Sequence, residues 1–210
     1  MRVNIFKNVK ASWPQETELD KIVTMMQTSE KIRMNTLSYR QHRMSGNKKD
    51  AERVKIKELP AFAPCSLFYG GKRRNNVVGL TDLCYLDFDN VKEGQRLTDA
   101  MTILRGDRNV LMVSRSISGL GLHILIRYKL KDMNLPPGRT TMAPARMQEL
   151  YGRVYQFFGS IYQQKIGLIP DSNGGHMEHL YIVSHDLELY YNPHAEALTI
   201  DLNEQTSGNI

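Results

Sequence analysis

The chain has 210 residues, 41% hydrophobic and 24% charged, with 28 Lys and Arg against 22 Asp and Glu for a net charge of +6. This is an ordinary globular mix able to bury a core, and its basic excess suits a polyanionic partner such as nucleic acid or nucleotide. Cys65 and Cys84 are the only cysteines, which rules out a disulfide framework and a cysteine-rich zinc site. No apolar run has the length of a membrane span and the N-terminus lacks a signal-peptide core, so a cytoplasmic location without membrane contact is expected.

Val3-Asn4-Ile5-Phe6 reads as a short strand. Leu19, Ile22, Val23 and Met26 have helical spacing and predict a helix over 17–27. Residues 30–58 are the most basic stretch, with Arg33, Arg40, Arg43, Lys48, Lys49, Arg53, Lys55 and Lys57, either a solvated helical face or a contact for phosphate. Leu59-Pro60-Ala61-Phe62-Ala63-Pro64 reads as an extended connector, because proline restricts itself and its predecessor. Gly70-Gly71-Lys72-Arg73-Arg74-Asn75-Asn76 is a basic turn, whose Lys72, Arg73 and Arg74 are candidate nucleic-acid contacts.

From Gly79 to Phe88 the pattern is a strand, 97–104 a helix, 109–113 a strand and 120–128 another. A turn with Pro136, Pro137 and Gly138 precedes a helix over 144–165, with Met147, Leu150, Tyr151, Val154, Phe157, Phe158 and Ile161 on its apolar stripe. Leu180 to Val183 is a last short strand. Tyr190-Tyr191-Asn192-Pro193 reads as a turn within a trailing arm. The order β-α-β-β-α-β predicts an α+β, ferredoxin/RRM-like core over 79–194, with 1–78 as an α/β extension packed on it and 195–210 as a tail, all one structural unit.

Leu86-Asp87-Phe88-Asp89-Asn90 carries the chemistry. Side chains alternate along a strand, so Asp87 and Asp89 share one face while Leu86 and Phe88 turn to the core. Two carboxylates on one face repel unless a cation sits between them, and divalent metals with oxygen ligands fill that role. Ser114-Arg115-Ser116-Ile117-Ser118-Gly119-Leu120-Gly121-Leu122-His123 joins the second and third strands. Its turn exposes N–H groups suited to phosphate oxygens, and His123 adds a donor. The first and third strands are expected side by side. With the third read as parallel to the first, His123 falls early where the acids fall late, and a register offset is needed to join them. The fourth strand is expected beside the first and antiparallel to it, which favours Asp171 over Asp186 as a third acid. His176/His179 and His185/His194 read as surface or site-rim residues, and the methionines as core filling.

This ordered set resembles the archaeo-eukaryotic primase superfamily, the primase-polymerases, whose three motifs are hDhD, small-x-His and hydrophobic-Asp. Here they correspond to Leu86-Asp87-Phe88-Asp89, Gly121-Leu122-His123 and Pro170-Asp171. More narrowly, the chain is similar to the N-terminal domain found in front of virulence-associated E (VirE) helicases. That likeness runs through Lys57–Ala61, Gly79-Leu80, Ser116–Gly121 and Val183–Asp186 into Tyr190–Pro193. The resemblance implies a primase-polymerase that makes or extends primers on a single-stranded DNA template in replication of a mobile element or phage. It also implies a two-metal Mg²⁺ or Mn²⁺ site on Asp87, Asp89 and Asp171. Nucleoside triphosphates would be gripped by His123 and the Ser116, Ser118, Gly119 and Gly121 turn, with Arg115 and Arg127 adding charge. A separate VirE-type helicase would be a partner. The chain departs from the pattern at Glu178-His179, where the family has an arginine, and at Pro170, a less apolar neighbour for Asp171.

Two other readings use the same residues. Asp87-Phe88-Asp89-Asn90-Val91 fits the haloacid-dehalogenase phosphatase signature, with Asp87 as nucleophile and Asp89 as acid/base, and Val110–Ser114 resembles its second motif. That family needs a parallel doubly wound sheet. A non-catalytic nucleic-acid-binding module on an RRM-like fold would use sheet aromatics, of which Tyr85, Phe88 and Tyr128 are the candidates.

Overall fold

The computed structural model describes residues 1–89, 91, 94–131 and 140–202. Asn90, the Pro136-Pro137-Gly138 turn and residues 203–210 of the expected tail lie outside the described residues. The N-terminal elements are β1 (Arg2–Phe6), β2 (Gln15–Glu18), α1 (Leu19–Thr28), α2 (Glu30–Met44), α3 (Lys48–Lys57) and β3 (Ala61–Ala63). A small hairpin follows, β4 (Ser66–Phe68) and β5 (Val77–Leu80). Next come β6 (Leu83–Phe88), α4 (Gly94–Arg105), β7 (Val110–Arg115), β8 (Leu122–Leu130) and α5 (Pro144–Ile166). β9 (Tyr181–Ile182), β10 (Tyr190–Tyr191) and β11 (Leu198–Ile200) complete the described chain.

Local chemistry sets these boundaries. Leu19, Ile22, Val23 and Met26 are the buried stripe of α1. Ser29 ends α1 and opens α2, its hydroxyl accepting the Ile32 N–H at 3.4 Å, and Asn47 caps α3 by accepting the Asp50 N–H at 3.2 Å. α5 starts with Pro144 in its first turn and stops at Gly167, which takes the left-handed conformation at φ 68°. Its buried stripe is Met147, Leu150, Tyr151, Val154, Tyr155, Phe158, Tyr162 and Ile166, while Phe157 and Ile161 are only partly buried.

The expected single strand from Gly79 to Phe88 is two strands in two sheets. Thr81 causes the break: its hydroxyl donates to the Pro64 carbonyl at 2.7 Å and accepts the Leu83 N–H at 3.2 Å. β5 then pairs with β4, and β6 pairs with β8. The connector after Pro60 is also a strand, because its imposed extended backbone is flanked by β1 on one side and β9 on the other.

Three sheets result, a four-stranded one ordered β2-β1-β3-β9, the β4-β5 hairpin, and a larger one in which β8 lies between β6 and β7. β8 runs antiparallel to both. This corrects the parallel reading of the first and third strands: β7 returns through a tight turn into β8, which must therefore oppose it and β6 together. The last short strand pairs with β3, not with β6 as expected. Two further corrections concern the C-terminal region. Tyr190–Tyr191 is an edge strand on β7, with the expected turn only after it at Asn192-Pro193, where the Ala195 N–H donates to the Asn192 carbonyl at 3.1 Å, and the expected tail contains β11, which pairs in parallel with Tyr128–Leu130 of β8.

One continuous core runs from Val3 to Leu202 and includes residues of all three sheets. Cys65 and Cys84 are fully buried within it, with the Cys65 Sγ 3.0 Å from the Tyr151 hydroxyl.

Candidate functional site

β6 is buried along its whole length, so Asp87 is a carboxylate inside an apolar strand. Its register explains how it is tolerated. Asp87 stands opposite His123 on β8, and His123 opposite Ser114 on β7. Directly opposed residues share a face of a sheet, which makes Ser114, His123 and Asp87 one polar row across three strands. Asp87 is 8% exposed and His123 5%. The Tyr85 hydroxyl, two residues back on the same face, donates to Asp87 Oδ2 at 3.3 Å. His123 Nε2 lies 3.2 Å from Asp87 Oδ1, off the hydrogen-bond direction. Asp87 Oδ1 and, on the other side of the ring, His123 Nδ1 are buried without a hydrogen-bond partner among the described residues.

Burial pushes the Asp87 carboxyl up, but His123, His179 and the Tyr85 hydroxyl outweigh it and hold the group below the usual carboxylate range. Asp89, at the strand end, moves the other way. Burial of its carboxyl and the negative charge of Asp87 raise it, Asp171 adds to the rise, and His123 and Lys55 only partly offset them.

Asp171 reaches this cluster by a backbone bond, its N–H donating to the Asp87 carbonyl at 2.7 Å. Its extended residue thus occupies the free edge of β6 where a fourth strand was expected. The Asp171 carbonyl accepts from the Tyr155 hydroxyl of α5, and its carboxylate caps the short turn Ser172–Gly175 by accepting the Asn173 N–H at 3.1 Å. Asp186 is elsewhere: it is 6% exposed and accepts the Arg115 and Glu188 N–H groups at 2.7 and 2.9 Å.

The Ser116–Gly121 turn is held close to the acids. Gly121 has no space for a side chain, since a Cβ would strike the Phe88 carbonyl and come within 3.0 Å of the Ser116 hydroxyl and 3.3 Å of Asp89 Cα. Gly119 has φ +76° and packs on the Arg40 guanidinium, whose Nε donates to the Ile117 carbonyl at 3.0 Å. Ser116 and Ser118 share a 3.0 Å hydroxyl contact.

Asp87, Asp89, Asp171, His123, Ser116 and Ser118 all line one cleft of about 880 Å³. The same cleft is lined by the cations Arg43, Lys55, Lys72 and Arg74, together with Glu52 and Glu178. Sequence reading singled out Lys72 and Arg74, but it left Arg43 and Lys55 inside a generally basic stretch; only the fold of α2 against α3 picks them out. Tyr85 and His179, stacked at 5.5 Å, form part of the cleft floor, and burial lowers the His179 pKa.

Five expected phosphate or nucleic-acid contacts do not line this cleft, Gly119 and Gly121 of the turn and the three arginines Arg115, Arg127 and Arg73. Arg115 pairs with Glu188 at 3.1 Å, and Arg127 with Asp82 at 3.0 Å. Arg127 shares the face of His123, yet it stands opposite Leu83 at the far end of β6. Arg73 is exposed outside the cleft. Arg74 is within it but engaged, its guanidinium 2.6 Å from Glu178 Oε1 and 3.3 Å from His176 Nδ1. Glu178, where an arginine was expected, thus holds an arginine supplied from the β4-β5 hairpin.

No group of three or more His, Cys, Asp or Glu is gathered tightly enough to hold a metal ion among the described residues. Nor is any described helix long and apolar enough to cross a membrane.

The protein is thus of the mixed α+β class, a largely antiparallel sheet bearing a row of buried polar residues beside a cleft lined by both acids and cations. Residues 54–191, some two thirds of the chain, match the model of the BT4734-like, N-terminal domain, and the protein belongs to that family. No curated protein and no solved structure matches it.

Proposed function

We propose that the protein is a primase-polymerase-like nucleotidyltransferase that makes or extends primers on single-stranded DNA. The observation that carries this reading is the convergence of Asp87, Asp89, Asp171 and His123 on one cleft that also holds Arg43, Lys55, Lys72 and Arg74, with a buried Asp87 oxygen that has no hydrogen-bond partner among the described residues. The family is one associated with primase-like N-terminal domains. The run β6-α4-β7-β8-α5, with β8 between β6 and β7, agrees with an RRM-like core whose fourth strand has been drawn off to β3.

In this reading Asp87 and Asp89, with Asp171 beside them, hold Mg²⁺ or Mn²⁺. The fit rests on the Asp87 oxygen that lacks a hydrogen-bond partner among the described residues and on the raised Asp89 carboxyl, where burial first and the Asp87 charge second both favour a neutralising cation, since hard cations take such oxygen donors. Two such ions supply charge stabilisation to the attacking and leaving oxygens of an in-line phosphoryl displacement. The chain's own groups do the positioning. His123 and the Ser116–Gly121 turn grip the triphosphate of the incoming nucleotide, and Lys55, Arg43 and Lys72 offset its charge. A VirE-type helicase is the proposed partner.

A haloacid-dehalogenase phosphatase is disfavoured because Asp87 sits on a strand antiparallel to its neighbour, where that chemistry uses a parallel sheet. The test is nucleotide incorporation on a single-stranded template with Mg²⁺ or Mn²⁺, comparing the wild type with Asp87→Ala/Asp89→Ala. Template-dependent product from the wild type alone is expected. If neither protein makes product and both bind DNA equally, the protein is a non-catalytic binding module.

A further inference from the structure

Two segments outside the carboxylate cluster meet at the rim of the same cleft, the 8–14 turn and the 69–76 tip of the β4-β5 hairpin. They are firmly joined. The Lys72 N–H donates to the Ser12 carbonyl at 2.8 Å, and the Lys72 ammonium donates to the Val9 carbonyl and lies 5.7 Å over the Phe6 ring. Gly71 takes φ +134° to bring the tip onto this turn, where a Cβ would stand 3.6 Å from the Ser12 carbonyl. Val9 and Lys72 both line the cleft.

From this anchored rim Trp13, the single tryptophan of the chain, stands 72% exposed, and Tyr69 stands 63% exposed. Large aromatic rings gain most from burial, and within this fold the Trp13 ring is left largely in water. The two segments that meet here also carry Lys10, Lys72 and Arg73. Lys10 and Arg73 are exposed, and after burial, the charge of Lys10 is what makes the Lys72 charge less favourable. Such repulsion is relieved when phosphates arrive. Aromatic faces interleaved with cations are how unpaired bases are bound without sequence preference, the bases stacking while the charges follow the backbone.

We propose that Trp13 and Tyr69, flanked by Lys10, Lys72 and Arg73, form a stacking platform for the unpaired bases of a single strand entering the cleft that holds Asp87, Asp89 and Asp171. Only the destination of that strand rests on the nucleotidyl-transfer reading; the stacking does not.

Because Trp13 is the only tryptophan, its emission reports the platform directly. Titrating the full chain with a sixteen-residue oligothymidylate is expected to quench that emission saturably. Trp13→Ala, followed by anisotropy of a labelled oligothymidylate, is expected to weaken binding roughly tenfold or more, while Trp13→Phe retains most of the affinity. Asp87→Ala/Asp89→Ala is expected to leave the quenching unchanged. Binding without any change in emission, equal affinity of Trp13→Ala and wild type, or equal quenching by a duplex of the same length would each overturn the platform. Quenching that persists in a protein unable to incorporate nucleotides would support the platform while removing the polymerase reading.

Discussion

Asp87 and Asp89 are two residues apart on one strand end, yet their surroundings move their acidities in opposite directions. A carboxyl lowered in the fold contributes stability that is present above its unfolded value and is lost as pH falls through the folded value. A carboxyl raised in the fold does the reverse, and its ionisation opposes folding once pH exceeds the unfolded value near 4. In metal-free buffer at pH 7, Asp87→Asn is therefore expected to lower Tm and Asp89→Asn to raise it. The Asp89 difference should vanish once pH falls below the unfolded value of about 4, and the Asp87 difference should shrink from there down through its lowered folded value. Saturating Mg²⁺ should raise the wild-type Tm by linkage and do little for either variant. At this scale the sequence was legible where a residue type and its parity suffice, as for Asp87, Asp89 and His123. It misled for Arg127, because parity gives the face but not the distance along the strand. Four residues of strand separate Arg127 from His123, roughly 13 Å, and an aspartate at that end claims it.

α2 supports the site as well as lending it the Arg43 charge. Arg40 reaches from that helix to the Ile117 carbonyl and packs on Gly119, holding the Ser116–Gly121 turn against the end of β6. A hydrogen bond from a charged donor is worth about 1.5 kcal/mol or more. Arg40→Met keeps most of the side-chain volume and removes the bond. It is expected to speed hydrogen exchange of the Gly119 and Ser116 amides about tenfold, with little change in the sheet amides. Helices and strands were largely readable from spacing, since apolar periodicity marks which face is buried. The partner of a short strand was not. Tyr181 and Ile182 read as a strand either way, but their pairing with Ala61 and Phe62 depends on contacts far away in sequence. The same blindness explains the opposite strand sense assigned to His123; a hairpin between the second and third strands was visible, and its consequence for the first was not drawn from it.

The molecule as a whole is stitched across its length. β9 joins the sheet begun by residues 2–6, β11 joins the sheet that carries His123, and one core takes in both. The boundary expected between 78 and 79 falls inside β5. Composition alone anticipated a chain able to bury such a core, but the interweaving is a property of long-range pairing. At the centre lie two thiols. Burial pushes Cys65 up to about 12, with only partial relief from the Tyr151 hydroxyl, and burial also drives Cys84 well above its ordinary value. A thiol reacts through its thiolate and needs access to the reagent. Neither cysteine is expected to react with an aromatic disulfide reagent in the native state, and both should do so together in denaturant, read as two absorbance equivalents released in one phase. A single equivalent released under native conditions would mean that part of the core opens by itself. The buried pair therefore acts as an internal clock: its labelling rate counts how often the whole structure comes apart, with no added probe.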